Sequence, residues 1–335
     1  MTTKVNKTDF LLNIPKPILL RIKNIDLNTP SENCNEAVNE LLQRSVLLGG
    51  KRLRPLLTYL FCDFFGLDLD AEICSVNATS IEMVHAASLA HDDVIDEATL
   101  RRGNPSINIQ ASNKRAVLAG DYLLAAVIGR LTQKGSLELV REMSRVIQAL
   151  SEGEWIQSDA IIHKNYTREL INQIALNKTS SVMTWCGVSS ALISPYDESI
   201  KAELVSKGRE FGEYLGLAFQ FLDDTLDFSS DSQKDTLLDL KNGQVNSVIY
   251  EWLESHPEVF KDFKDGKDIL ELFNDDGIED SISVVRARAL EHLNRCRTLL
   301  SEMKNLLKDH VDSHRLDKAE KTLLFILKYL EDRQS

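Results

Sequence analysis

Three aspartates (Asp92, Asp93 and Asp96) and two arginines (Arg101 and Arg102) fall within the thirteen-residue stretch HDDVIDEATLRRG, from His91 to Gly103. It follows the apolar run IEMVHAASLA, which reads as a helix, so Asp92 and Asp96 stand one turn apart on one face. Carboxylates so placed repel one another unless a cation joins them. Hard oxygen ligands of this kind suit Mg²⁺, which completes its octahedron with water and substrate phosphates. Alone, the motif would more often read as a solvated acidic helix end. It is not alone: Asp223, Asp224 and Asp227 repeat the spacing after a second apolar run, GEYLGLAFQF. If the two helices are antiparallel neighbours, both clusters flank one cavity mouth and hold several Mg²⁺ between them. Such a mouth over an apolar pocket calls for a ligand with a diphosphate head and an apolar tail.

Cations are placed to match. A glycine pair, Gly49-Gly50, lets the chain turn sharply before Lys51, Arg52 and Arg54, and Pro55 can open the next helix. The elbow can clamp a second diphosphate, with arginine gripping oxygens bidentately and lysine adding a point charge. Taken alone it reads as easily as a basic helix start. His85 lies two turns before Asp92 on the same face, near the proposed cavity. Lys178 and Thr179 close an apolar helical face, where a lysine more commonly snorkels to solvent.

The elements that must position these groups are helical. Residues 33–48, 55–70, 72–96 and 201–228 carry helical periodicity, and no proline interrupts the chain between Pro105 and Pro195. Strand signals are weak, and Asn242-Gly243 sits among polar residues rather than between alternating apolar runs. The expected fold is all-α: a single-domain bundle of about ten helices with a central apolar cavity. One domain would span 1–335, with a lead-in over 1–30 punctuated by Pro15, Pro17 and Pro30.

A chain of 335 residues, 43% of them hydrophobic, can bury a large core. Its net charge of −12 leaves no excess of lysine and arginine to neutralise nucleic-acid phosphates, so no nucleic-acid partner is expected. Five cysteines form an odd set without metal-site spacing, which points to a reducing compartment. No run approaches the ~20 apolar residues of a membrane span, and the first twenty residues lack a secretory or transit pattern. A cytoplasmic location is expected.

Taken jointly, the motifs identify a family resemblance. GGKRLRP, E-x-x-H-x-x-S-L-x-HDD-x-x-D-x-x-x-x-RRG, A-V-L-x-GD-x-LL, GE-x-x-Q, the KT pair and FQ-x-x-DD-x-x-D occur in order between Val46 and Phe228. In this the chain resembles the trans-isoprenyl diphosphate synthases, most closely those making medium- and long-chain polyprenyl diphosphates. The resemblance implies the isoprenoid synthase helical fold, several Mg²⁺ and a homodimer. It also implies head-to-tail condensation of isopentenyl diphosphate with an allylic diphosphate, and transient membrane contact for product release. Asp92, Asp96 and Asp223, supported by Asp93, Asp224 and Asp227, would hold the metal on the allylic diphosphate. Arg101, Lys178 and Lys234 would contact that diphosphate, with Lys178 among the catalytic groups. Lys51, Arg54, His85 and Arg102 would bind isopentenyl diphosphate, and Thr179 and Gln220 would line the reacting carbons.

Product length follows from geometry. Ser88 and Val84 lie one and two turns before Asp92, and Ala87 borders them. Bulky aromatics near these positions form a floor in short-chain members. The small residues here let the tail continue, so a product of C30 or longer is expected, with a deeper floor near C20 as the alternative. After the second acidic motif the chain departs from the resemblance. Gln244, Asn246 and Val248 stand where Lys, Thr and Pro are usual, Gln233 where Gly is usual, and Ser112 replaces a usual Gly; the region from 229 onward is the divergent part. The departures leave open a non-catalytic partner subunit of a heteromeric synthase. A class I terpene cyclase is the third reading, but it would need no second diphosphate site.

Overall fold

The computed structural model describes residues 12–28, 36–228, 240 and 242–332. The described chain is helical almost throughout. In order, the helices are α1 (Lys16–Lys23), α2 (Glu36–Arg44), α3 (Leu53–Phe64), α4 (Glu72–Ile95), α5 (Ile107–Gln110), α6 (Asn113–Gln133), α7 (Leu137–His163), α8 (Arg168–Ala175), α9 (Ser181–Leu192) and α10 (Glu198–Leu226). After the second acidic motif come α11 (Ser247–Ser255), α12 (Pro257–Lys264), α13 (Ile269–Leu272), α14 (Ile278–Leu307) and α15 (Ser313–Glu331). All-α architecture is therefore observed, with more and shorter helices than the sequence reading counted.

One element departs from that reading. Leu100–Arg101 (β1) and Asn104–Pro105 (β2) form a two-residue antiparallel ladder, Leu100 opposite Pro105 and Arg101 opposite Asn104. Its turn, Arg102-Gly103, has positive φ at both residues (52° and 77°), as a tight hairpin requires. Alternating apolar residues do not flank it, so period-2 reasoning passes over it.

At the centre lies α9, in which every residue from Val182 to Ala191 is buried. Helix α10 packs along it through a seam of small residues. A Cβ at Gly212 would fall 2.3 Å from Thr184 Cα, and one at Gly216 would fall 2.3 Å from Ser180 Cα. Only glycine permits backbones this close, and the close approach fixes how far the second acidic motif stands from Lys178 and Thr179.

Two apolar clusters fill the bundle. One joins α3, α9, α10, α11, α14 and α15; the other joins α2, α4, α6 and α7. Helix α9 divides them, sending Met183 and Cys186 into the first and Val182 and Trp185 into the second. The C-terminal part is integral to the bundle: Arg315 pairs with Asp63 (2.9 Å) and donates to the carbonyl of Gly66 (3.0 Å) at the end of α3.

Candidate active site

Helix α4 delivers the first acidic motif at its C-terminal end, with Asp96 as the C-cap. Helix α10 delivers the second in the same way, with Asp227 as its C-cap. Between them lies a cavity of about 350 Å³, lined by Asp92 and Asp96 from one helix and by Asp224 and Asp227 from the other. Lys178, Thr179, Gln220, Arg54 and His85 also face it. Two carboxylate-bearing helix ends and a set of cationic and polar groups thus share one enclosure.

The second aspartate of each motif is turned to other work. Asp93 is fully buried, and Arg101 donates to its Oδ1 through Nε (2.7 Å) and Nη2 (2.6 Å). Its other oxygen accepts from the backbone N–H of Ile107 (3.3 Å). Asp93 therefore does not face the cavity as a metal ligand. It anchors the hairpin and α5, and it occupies the Arg101 side chain expected on a diphosphate.

Asp224 is similarly enclosed. Ser247 donates to its Oδ2 from both Oγ (2.5 Å) and backbone N–H (3.0 Å), while Gln220 Nε2 donates to Oδ1 (2.8 Å). Burial raises its pKa against these hydrogen bonds. Asp224 touches the cavity, but its lone pairs are committed to holding α11 against α10. The groups left facing the mouth are Asp92, Asp96 and Asp227, with Asp223 close enough to Arg54 to act on it electrostatically.

Lys178 and Thr179 reach the cavity because the helical run from Arg168 to Leu192 contains a π turn at Leu176–Ser180. Such a turn carries an extra residue, which displaces side chains toward the cavity. Gly153 makes room for it: a Cβ there would meet Lys178 Cγ at 2.7 Å and Asn177 Cβ at 2.8 Å. Lys178 is paired with Glu154 and donates to Gln157 Oε1 (3.0 Å). Thr179 Oγ1 donates to Gln220 Oε1 (2.7 Å), extending a chain of hydrogen bonds to Asp224 and Ser247. Glu154, Gln157 and Ser247 were given no role on sequence grounds, although GE-x-x-Q was a visible motif.

The charge balance is uneven. Burial pushes Asp92 up to about 6, only partly opposed by Lys178, with Glu154 and Asp96 raising it further. Asp96 is raised by burial and by Glu154. Acids are therefore crowded on this side beyond what Lys178 neutralises, and hard oxygen donors in such a setting fit a divalent cation. Among the described residues no three acidic, histidine or cysteine side chains converge to enclose an ion by themselves. Any ion here must draw ligands from water or a bound phosphate, as Mg²⁺ commonly does.

Across the cavity the imbalance is reversed. His85 is held well below its ordinary value by burial and by Arg54, Arg102, Arg101 and Arg52 around it. Burial also lowers Arg54, whose Nε finds no hydrogen-bond partner. Arg52 of the elbow is committed to Glu82 (2.5 Å) and adopts a left-handed backbone. Arg102 donates to the Leu48 carbonyl (2.8 Å) and packs under Gly50. Lys51 is exposed and lines neither this cavity nor the next. Lys234 and Gln233 lie outside the described residues.

A second, apolar cavity of about 490 Å³ opens beside the first between α4, α6 and α7, sharing Ser88, Asp92, Leu150 and Glu154 with it. Val84 and Ser88 line it, together with Leu124, Ile147 and Trp155. Ala87 does not: it is fully buried in the core cluster of α4, α6 and α7, because its position turns it away from the cavity wall. The opposite wall, from α6 and α7, could have been sought in the apolar residues spaced by three and four along α7.

Paired acidic helix ends over an apolar pocket, inside an all-α bundle, define a protein built to hold an anionic head and a hydrocarbon tail. The polyprenyl synthetase family profile matches residues 35–280. A prenyl transferase of Cyanidium caldarium is 33% identical over 273 residues, covering 77% of this chain and 81% of that one. The decaprenyl-diphosphate synthase of Dictyostelium discoideum is 32% identical over 294 residues, covering 83% of this chain and 62% of the other. Among solved structures, a polyprenyl synthase from Caulobacter crescentus, complexed with calcium and isoprenyl diphosphate, superposes with a TM-score of 0.75 at 21% identity. It covers 99% of this chain and all of its own. The chain belongs to the polyprenyl synthetase family and is a prenyltransferase of the trans-polyprenyl diphosphate synthase type.

Proposed function

We propose that the chain joins isopentenyl diphosphate head to tail to an allylic diphosphate, releasing a trans-polyprenyl diphosphate of C30 or longer. The observation that carries this reading is the junction of the two cavities at Ser88 and Asp92, which puts the end of a hydrocarbon tail's pocket directly under the acidic mouth. Relatives named for decaprenyl and octaprenyl products support the long chain.

Asp92, Asp96, Asp223 and Asp227 would hold Mg²⁺, and the calcium in the Caulobacter structure supports a divalent ion at such a site. When bound, the metal supplies electrophilic stabilisation to a departing diphosphate. The chain's own residues do the rest. Lys178, exchanging Glu154 for phosphate oxygen, adds a positive charge where the leaving group becomes more negative. Arg54 and the neutral His85 provide donors for the second diphosphate on the opposite wall. Thr179 and Gln220, fixed by Asp224, border the space in which carbon joins carbon. Apolar walls exclude the water that would capture an allylic cation.

A cytoplasmic homodimer is part of the proposal. Leu118 on α6 and Trp155 and Ile162 on α7 are large apolar side chains left 56%, 73% and 69% exposed, the character of a surface that pairs. We also take residues 1–335 to be one domain. A non-catalytic partner subunit is the second reading, favoured by Gln244, which lines the cavity where a cation is usual in the resemblance. The deciding experiment supplies the purified chain with Mg²⁺, isopentenyl diphosphate and farnesyl diphosphate, and resolves the products by length. Long prenyl products from the single chain support synthesis; no turnover without an added subunit supports the second reading.

A further inference from the structure

We propose that Trp185 is the floor of the tail pocket and sets the length at which chain growth stops. The proposal rests on the reading of that pocket as the place of the growing tail. Helices α4 and α9 run in opposite directions beneath the mouth. Lys178 acts on Asp92 at the top, and lower down Asn77 Nδ2 donates to the Ser189 carbonyl (3.3 Å). A ridge of α4 therefore descends from the mouth through Asp92, Ser88 and Val84, winding on to Ser80 and Asn77 below.

The open cavity reaches Val84 and no further, about 12 Å below Asp92 at the helical rise. The antiparallel register brings Trp185 of α9 below the level of Val84, fully buried and in the same apolar cluster as Val84, Val127, Met143 and Val146. Its ring is held in place: indole Nε1 donates to the Asn77 carbonyl (3.0 Å), about two turns below Val84. A leucine or methionine plug could swing aside for a growing chain. An indole with two torsions and a buried hydrogen bond would have to break that bond to do so.

The space past it is also inhospitable to hydrocarbon. Asn77 Oδ1, Ser80 Oγ and Ser189 Oγ are buried there without hydrogen-bond partners. An apolar tail entering would seal these polar atoms away from any partner. Trp185 thus separates an apolar pocket from a polar layer: it closes the bottom, and a C30 tail, longer than the straight descent, fills the width above it toward Leu124 and Ile147 before growth stops.

The test compares product lengths made by the full chain and by Trp185→Phe, Trp185→Leu and Trp185→Ala, with Mg²⁺, isopentenyl diphosphate and farnesyl diphosphate. Ser88→Phe serves as a check on the pocket itself. Removing ring volume is expected to lengthen the main product by at least one five-carbon unit in Trp185→Ala. Trp185→Leu should fall between it and the wild type, and Trp185→Phe should stay near the wild type. A folded, active Trp185→Ala with the wild-type distribution overturns the proposal. Should that variant fail to fold, an unshifted Trp185→Leu does so instead. Shortening by Ser88→Phe with no change at position 185 sinks the floor but leaves the pocket. Unchanged length in both sinks the pocket reading, and a wild-type chain that makes no product removes the functional premise.

Discussion

At the scale of single residues, the site depends on which carboxylates face the cavity mouth. Asp93 and Asp224 spend their oxygens on Arg101, Ile107, Gln220 and Ser247, so the ligand role proposed above falls to their neighbours. Asp92 shows the cost of readiness. Its pKa, raised by burial from 3.8 to about 6, means that the folded protein keeps this proton where the unfolded chain has lost it. The group's contribution to stability is full below about pH 4 and gone above about pH 6, a loss on the order of 2 kcal/mol after solvent screening. Mg²⁺, binding the ionised form, should restore it. Thermal melts of the metal-free protein should show Mg²⁺ raising the midpoint more at about pH 8 than at about pH 5. Asp92→Asn should abolish that difference; an equal Mg²⁺ shift at both values, or in the variant, would contradict the assignment.

Ser88 belongs to the same scale, because it faces both cavities. Phenylalanine there should fill the passage one turn below Asp92 and shorten the main product by one or more five-carbon units, as read by chromatography. The sequence made Ser88 and Val84 legible through helical periodicity alone. It misplaced Ala87, since spacing gives the angle around a helix but not which neighbouring helix closes over that angle. Here the wall comes from α6 and α7, and Ala87 falls inside the core.

At the scale of elements, the decisive contact is between α7 and the π turn. Alanine at Gly153 would force a methyl group to within 2.7 Å of Lys178 Cγ. The expected result is a roughly 10- to 100-fold loss of turnover, with about 1–3 kcal/mol of stability lost, because the turn must shift to admit it. Steady-state rates together with denaturant melts would check both parts, and unaltered turnover would show that the turn tolerates displacement.

The end of α11 tells a different story. Asn246 replaces a threonine of the resemblance yet caps the helix, accepting from Val248 N–H (3.1 Å) and Ile249 N–H (3.0 Å). Losing it in Asn246→Ala should cost about 1 kcal/mol of stability. What read as erosion in the sequence is at this position an exchange of one capping side chain for another. Gln244 has no such compensation, and its amide simply faces the cavity. Acidic motifs and glycine elbows were legible because their chemistry is local. The Asp224–Ser247 bond was not, because it joins residues 23 apart in the sequence across a loop.

At the scale of the whole molecule, the long helices were legible from periodicity, but the expected antiparallel pairing of the two acidic helices is not found: α4 and α10 both end at the mouth and run parallel on either side of α9. The two-residue hairpin after α4 was not legible, since Arg102-Gly103 lacks the flanking alternation that announces a strand. Exposed apolar groups on α6 and α7 lead to a quaternary prediction. The chain should sediment as a dimer, and Leu118→Glu should weaken the association at least 10-fold, measured by analytical ultracentrifugation across a dilution series. A monomeric wild type would leave those side chains without the explanation offered.

The π turn reaches further than the two side chains it delivers. Each residue added to or removed from a helix rotates everything beyond it by about 100°. Lys178 lies inside the turn and Trp185 seven residues on. Deleting one residue between 176 and 180 would therefore do more than withdraw a cation from the mouth. It would swing the indole off the tail pocket and bring the thiol of Cys186 round in its place. The ability to ionise a substrate and the ability to count its carbons are geared to the same irregularity in one helix, and a single lost codon would disable both.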